Sequence, residues 1–192
     1  MMHRLLLQTI RLGALAAVFT LFTRAVLAQG VVVSQVGPDL LVTISAEAAN
    51  IVFTFSQNGC DNNIPCFEIG AGQGMAGVPV SAGGGCQAKM GNAYTPSGIE
   101  CPASGIGSIT FQFMKGGTWA AYAGGGGQHT GGPCSPAPVT IKTGPDGGMV
   151  SVNSWNGCKE TVICNSPASM FTAVEADNAD EIRGTCSSIV RH

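Results

Sequence analysis

Glycine and proline interrupt every long apolar run of this chain, and this pattern constrains its fold more than any other feature. The 192 residues include 28 glycines and 10 prolines. Apolar residues do not recur at intervals of three and four, whereas several short stretches alternate with a period of two. Phe53 and Phe55, for example, alternate with Thr54 and Ser56, as in a half-buried strand. The sequence therefore predicts an all-β fold made of short strands and tight turns.

Seven stretches carry this strand signal. In chain order they read VVVSQ, LLVTISA, IVFTFSQ, SITFQFM, APVTIKT, GMVSV and ETVIC, and glycine clusters separate several of them. Residues 120–138, AAYAGGGGQHTGGPCSPAP, carry too little apolar side chain to bury. They are predicted to be an insertion loop or a linker.

Two β architectures fit such a series of strands. A sandwich uses longer strands with meander spacing, whereas a β-solenoid, such as a β-roll or a parallel β-helix, stacks short strands with small residues at its corners. SQNGCDNNIPC (residues 56–66) and SWNGCKETVIC (residues 154–164) share Asn-Gly-Cys and the same cysteine spacing. This internal similarity favours a short-stranded β-solenoid stapled by disulfides, with a β-sandwich as the alternative.

The first 28 residues are predicted to be a secretory signal peptide. MMHRLLLQTIR is positively charged, LGALAAVFTLF is apolar, and small residues precede Gln29. Arg24 ends the apolar run well short of the roughly 20 residues that span a bilayer, which favours cleavage after Ala28 over a membrane anchor. Residues 29–192 are then expected to form a single secreted, β-rich domain without a membrane span.

All eight cysteines lie after this segment. An even number of cysteines behind a signal peptide predicts disulfides before it predicts a metal site, and no short Cys-x-x-Cys pair is present. Four disulfides are therefore expected. The cysteines are Cys60, Cys66, Cys86, Cys101, Cys134, Cys158, Cys164 and Cys186.

The charge of the secreted domain excludes some partners. Removal of the signal takes away Arg4, Arg11 and Arg24, which leaves six basic residues against eleven acidic ones and a net charge near −5. A surface of this charge does not hold a nucleic-acid backbone through counterion release. Neither nucleic acid nor an anionic membrane is expected as a partner.

Three segments, in their order along the chain, resemble secreted bacterial proteins with haemolysin-type (RTX-like) calcium-binding repeats. They are GGGCQAKMGNAYTPSGIECPASGIGSITFQF, PVTIKTGPDGG and VEADNADEIRGTCSSIVR, and the likeness runs from about Val31 to Arg191. In that family a glycine- and aspartate-rich turn binds Ca²⁺ through carboxylates and backbone carbonyls. The resemblance therefore implies a β-roll with calcium-binding turns.

The turns of this chain depart from the family pattern. Thr118 and Gly148 stand where the resemblance would place ligand aspartates, and Asp146 is the only carboxylate nearby. Calcium takes six to eight oxygen ligands, so these turns are poor calcium sites. A solenoid that has exchanged calcium for disulfides is the simplest account. The resemblance also implies the pairs Cys86–Cys101 and Cys164–Cys186, which flank its motifs, and Cys60–Cys66 and Cys134–Cys158 are then left to pair.

The stretch VEADNADEIRGTC keeps the acids of the family motif. Glu175, Asp177 and Asp180 are candidate ligands for one weak calcium site. Alternatively, they form a solvated outer face on which Glu181 lies next to Arg183, since exposed acids are the norm. The second interpretation is favoured because one hairpin supplies few ligands.

Catalysis is not predicted. His129 lies in a glycine loop and His192 is the last residue, so neither imidazole has the packing that a catalytic triad requires. A calcium-assisted polysaccharide lyase is a remote alternative, but Arg183 and Arg191 are the only arginines after the signal. Trp119 and Trp155 are expected to cover corners of the solenoid rather than to stack on sugars.

The expected function is that of a secreted, non-catalytic structural or binding module for an extracellular glycan or protein. The alternative is a small cysteine-rich effector or inhibitor that acts on the proteins of other organisms.

Overall fold

The computed structural model describes residues 30–45, 51–58, 63–71, 80–89, 98–114, 119–121, 133–144, 149–165 and 171–192. Outside these ranges lie the predicted signal peptide, Cys60, Thr118, Tyr122, His129, Asp146 and Gly148. The strands are β1 (Val31–Val36), β2 (Asp39–Ile44), β3 (Ile51–Ser56), β4 (Cys66–Ala71), β5 (Val80–Ala82), β6 (Gln87–Lys89), β7 (Gly98–Pro102), β8 (Ser108–Phe113), β9 (Trp119–Ala121), β10 (Val139–Thr143), β11 (Met149–Ser154), β12 (Glu160–Cys164), β13 (Phe171–Ala176), β14 (Glu181–Gly184) and β15 (Ser188–Arg191).

The all-β prediction is confirmed for the described part of the chain, and each of the seven predicted stretches contains a strand. The reason is the alternation of apolar and polar side chains, which lets a strand bury one face. In β3, Phe53 and Phe55 are buried while Thr54 and Ser56 are half-buried. Within the described ranges, no helix is long and apolar enough to cross a membrane.

The strands form two sheets, and neither sheet closes on itself. The first sheet has the order β14-β12-β10-β8-β2-β1-β5, and the second has the order β15-β13-β11-β9-β3-β4-β7-β6. From β8 onward, successive strands alternate between the sheets, and each strand pairs in parallel with the next strand but one. Two open sheets of this kind fit a solenoid and a sandwich-like arrangement alike.

The N-terminal half has a different pairing pattern. β1 pairs antiparallel with β2, and β3, β4, β7 and β6 form a run of antiparallel pairs. β2 and β3 also pair in parallel with β8 and β9, which joins the antiparallel half to the parallel half. Both halves therefore contribute to the same two sheets.

One apolar cluster is shared by the two sheets. The ring of Phe53 in the second sheet meets the ring of Phe111 in the first sheet edge-on, with the centroids 5.1 Å apart. Within the second sheet it stacks on Phe67 of β4 at 5.7 Å. Aromatic pairs contribute about 0.5–1.5 kcal/mol beyond the area that they bury. The contact between Phe53 and Phe111 therefore joins the inner faces of the two sheets.

Three disulfides join described residues, and they are the pairs Cys86–Cys101, Cys134–Cys158 and Cys164–Cys186. These pairs coincide with three of the four named from the sequence. Cys66 is also disulfide-bonded, and Cys60, its expected partner, lies outside the described residues. No described cysteine is free.

The segment 120–138, predicted to be a loop or a linker, contains residues that pack. Its first two residues belong to β9. Near its end, Ala137 is buried in the core, and its backbone N–H donates to Ser135 Oγ at 3.2 Å. The Cys134–Cys158 disulfide ties the same part to the turn after β11. The end of this segment is therefore part of the folded domain.

Gly144 follows β10 at a position without space for a side chain. A Cβ atom there would overlap the backbone carbonyl of Phe113 on β8, whereas a Cβ at Gly70 would meet nothing within 4 Å. We expect Gly144→Ala to lower the free energy of unfolding by about 1–3 kcal/mol, because backbone must move to admit the methyl group. Gly70→Ala is the matched control and should change stability little. Urea unfolding measures both variants, and equal stabilities would contradict the close approach.

Candidate functional site

The acids of residues 174–186 lie at the turn between β13 and β14, next to the turn between β11 and β12. The two turns are neighbours because β13 pairs in parallel with β11 and β14 pairs in parallel with β12. We call these turns, residues 155–159 and 177–180, the acidic corner. Leading into it, Val174 and Ala176 are buried, as the alternation predicts.

Asp177 holds the neighbouring turn through its carboxylate. Its Oδ2 accepts hydrogen bonds from the backbone N–H groups of Asn156 at 2.8 Å and Gly157 at 2.6 Å. This turn contains the Asn-Gly pair of SWNGC, and Gly157 has φ of +83°. Asn156 Oδ1 in turn accepts a hydrogen bond from the backbone N–H of Cys158 at 2.7 Å. The side chain of Asp177 thus supplies the hydrogen-bond acceptor for two backbone N–H groups of the preceding turn.

Asp180 is buried, with 5% of its surface exposed. Its Oδ2 accepts hydrogen bonds from Ser154 Oγ at 2.7 Å and from the backbone N–H of Asp177 at 3.0 Å. Its Oδ1 accepts one from the backbone N–H of Glu160 at 2.8 Å. The interpretation of the acids as a solvated face is therefore wrong for Asp180, because donors from both turns draw its carboxylate inward.

The remaining acids of the stretch are exposed, as that interpretation expects. Glu175 lies on the outer face, where its Oε2 accepts a hydrogen bond from Asn153 Nδ2 at 3.1 Å. Arg183 Nε donates to Glu181 Oε1 at 2.7 Å, which places these two side chains next to each other as predicted. Exposed ion pairs of this kind contribute little to stability.

The geometry separates the three candidate calcium ligands. Glu175 is on the outer face, Asp180 points inward, and the carboxylate of Asp177 is occupied by backbone donors. Among the described residues, no group of three or more histidine, cysteine, aspartate or glutamate side chains is arranged to hold a metal ion. Both carboxylate oxygens of Asp180 accept hydrogen bonds, so a cation there would compete with those donors. Asp177 and Asp180 both accept hydrogen bonds from the neighbouring turn or the strand residues beside it.

Glu160 is the residue of the corner that the sequence analysis missed. Thr161 pairs with Glu181, so Glu160 and Asp180, one position earlier on each chain segment, are neighbours. Only 2% of Glu160 is exposed, its Oε1 is 3.4 Å from the donor Asn156 Nδ2, and Oε2 accepts no hydrogen bond from a described residue. Burial, followed by the negative charge of Asp180, raises the pKa of Glu160 to about 8. Its carboxyl group is consequently protonated near neutral pH.

The last strand covers the acidic corner. Arg191 Nη1 donates to the backbone carbonyl of Asp177 at 2.9 Å and to that of Asp180 at 3.3 Å. The ring of His192 stacks on the indole of Trp155, with the centroids 3.6 Å apart and the planes 10° apart. Trp155 therefore packs at a corner, which is the role that the sequence analysis favoured for it.

Removal of the Asp180 carboxylate should destabilise the corner strongly. Asp180→Ala would leave the backbone N–H groups of Asp177 and Glu160 without their acceptor, while the hydroxyl of Ser154 would keep only the carbonyl of Glu175 at 3.3 Å. Each buried donor without a partner costs about 1–3 kcal/mol, and relaxation and water recover part of this, so we expect a loss of about 2–4 kcal/mol. Glu175→Ala, which removes the same charge from the outer face, is the control. Chemical unfolding that shows equal losses for both variants would contradict the role of Asp180.

A second feature is an open groove on the outer face of the second sheet. It is lined by residues 54–58, at the end of β3 and just beyond it, by Glu68 of β4 and by Pro133, and it encloses about 440 Å³. We call it the polar groove, because hydroxyl, amide and carboxylate side chains form most of its lining. The sequence analysis did not single it out, since Thr54 and Glu68 are ordinary outward-facing residues of their strands.

No protein-family model matches this chain, and no curated protein or solved structure shows significant similarity to it.

Proposed function

We propose that this chain is a secreted, non-catalytic β-solenoid that acts outside the cell as a binding or structural module. The alternation of β8 to β15 between two sheets carries the proposal, because each coil of a two-sheet solenoid contributes one strand to each sheet and stacks in parallel on the preceding coil. The sheets of a sandwich are mostly antiparallel. The parallel pairing of β8, β10, β12 and β14 therefore favours the solenoid.

The disulfides support secretion. Disulfides persist in oxidising compartments and are rare in the cytosol. Cys134–Cys158 and Cys164–Cys186 each link segments that belong to successive strands of the parallel part. In the proposed solenoid they staple one coil to the next.

The proposal includes descent from RTX-like proteins with loss of the calcium turns. Its support is the chemistry of the acidic corner, where Asp177 and Asp180 remain but accept hydrogen bonds from the adjacent turn. In this proposal, hydrogen bonds and disulfides stabilise the turns, as calcium does in the family.

Arg183 and Arg191 both form hydrogen bonds within the protein, and this supports a non-catalytic module. A lyase uses cationic side chains to neutralise an acidic sugar during proton abstraction. Arg183 bonds to Glu181, and Arg191 bonds to backbone carbonyls at the acidic corner. Neither arginine is among the described residues that line the polar groove.

Retention and turnover assays on the oxidised, secreted chain test the proposed function. The chain is mixed with insoluble cellulose, chitin and peptidoglycan, and separately with immobilised extracellular proteins, while the absorbance of a uronate polymer reports any lyase activity. We expect retention on a glycan without formation of unsaturated product. Retention on protein alone would favour the effector or inhibitor, and product formation above that of a heat-denatured control would contradict a non-catalytic module.

A further inference from the structure

We propose that the polar groove binds a neutral, polyhydroxylated ligand, namely a short segment of uncharged glycan. This inference rests on the proposed function as a binding module and names both the site and the ligand class.

The walls of the groove are held by pairing and by a disulfide. Thr54 lies directly opposite Glu68 in the antiparallel pair of β3 and β4, so both side chains project from the same outer face. Pro133 also lines the groove, and it precedes Cys134, which is bonded to Cys158. Strand pairing and this disulfide therefore restrain parts of the lining, as in the largely preformed sites that bind small molecules.

Its polar side chains lack protein partners. Among the described residues, the side chains of Thr54, Ser56, Gln57, Asn58 and Glu68 make no hydrogen bond or ion pair. The acidic corner is the opposite case, since its carboxylates are occupied by donors from the neighbouring turn. Polar groups that converge on a concave surface and have no protein partner are available to fix the orientation of a ligand.

The charge of the groove selects among ligands. Among the described residues that line it, Glu68 is the only charged one. Glu68 of β4 pairs with Glu100 of β7, the strand next to β4 on the side away from β3. Lys89 forms an ion pair with Glu100. Phosphate, sulfate or uronate groups would meet uncompensated negative charge in the groove. A sugar hydroxyl, by contrast, can donate to the carboxylate and can exchange hydrogen bonds with the amides and hydroxyls.

Size and lining favour a glycan over a protein partner. A volume of about 440 Å³ lies within the range of small-molecule sites, about 300–1,000 Å³. Protein-binding hot spots are enriched in tryptophan, tyrosine and arginine, and none of these is among the described residues of the lining. Phe55 belongs to the lining, but it is 92% buried and packs against Phe67 in the core.

The test is an NMR titration of the full oxidised chain. Cellotetraose, chitotetraose and maltotetraose serve as neutral probes, tetragalacturonate as an acidic probe, and tetralysine as a cationic peptide probe. We expect at least one neutral probe to cause saturable shifts in the backbone amide signals of residues 54–58 and Glu68, and tetragalacturonate to cause none. Glu68→Ala should weaken binding about tenfold, because the charged acceptor is lost. Glu175→Ala, which removes an exposed carboxylate elsewhere on the second sheet, should bind as the unaltered chain does.

Several results would overturn the inference. They are the absence of saturable shifts with every neutral probe, equal shifts with tetragalacturonate, shifts with tetralysine alone, and unchanged affinity in Glu68→Ala. If the chain is still retained on an insoluble glycan while Glu68→Ala binds normally, the proposed function stands and the assignment of the groove fails. If retention is also absent, both fail.

Discussion

Reduction of the disulfides will unfold this chain at temperatures at which the oxidised protein is fully folded. Each disulfide stabilises a small secreted domain by about 2–4 kcal/mol. Because the total stability of a domain is about 5–15 kcal/mol, the loss of three or more disulfides removes most of it. Thermal unfolding followed by circular dichroism, with and without reductant, measures the effect. A reduced chain that melts at the temperature of the oxidised chain would show that packing alone carries the fold.

The C-terminal disulfide should have a local effect as well. Cys164 is the last residue of β12, and Cys186 lies between β14 and β15. All four residues of β15 are exposed. The double variant Cys164→Ser/Cys186→Ser should therefore lose about 2–4 kcal/mol and release β14 and β15 first, since these strands bury little apolar surface. Hydrogen exchange should show faster exchange of amides in residues 181–191 than in β3. The variant Cys86→Ser/Cys101→Ser is the matched control, in which β14 and β15 should keep their protection.

Stability will also fall as the pH rises, because of Glu160. The pKa of this carboxyl group is about 8 in the folded chain, against an ordinary value of 4.5. Below pH 4.5 the group is protonated in both states, and its contribution to stability is fully present. Between pH 4.5 and 8 the unfolded chain releases the proton while the folded chain keeps it, so each pH unit shifts the equilibrium toward unfolding by up to about tenfold. The loss is complete above pH 8 and amounts to roughly 5 kcal/mol.

Glu160→Gln tests this pH dependence. The amide cannot ionise, so the variant should lack this pH-dependent loss and be more stable than the unaltered chain at pH 8. Glu175→Gln makes the same change of charge on the outer face and should keep the original pH profile. Denaturant unfolding at several pH values measures all three proteins. Parallel profiles for the unaltered chain and Glu160→Gln would show that Glu160 ionises normally in the folded state.

The positions of the strands follow from the sequence because alternation is a local property. The sheet order does not follow, since it depends on pairing between strands that are far apart, such as β2 with β8. The burial of Asp180 also depends on residues that are distant in sequence, because two of its donors, Ser154 and Glu160, flank the preceding turn. Glu160 did leave a signal: it alternates with Val162 and Cys164, which predicts an inward-facing acid. An acid on a buried face needs a partner or a proton, and this rule identifies it.

If hydrogen bonds and disulfides hold the acidic corner without a metal ion, the oxidised chain should have the same melting temperature in calcium and in chelator. A higher melting temperature in calcium, lost in Asp177→Asn/Asp180→Asn, would contradict this expectation and would show that these aspartates bind the ion.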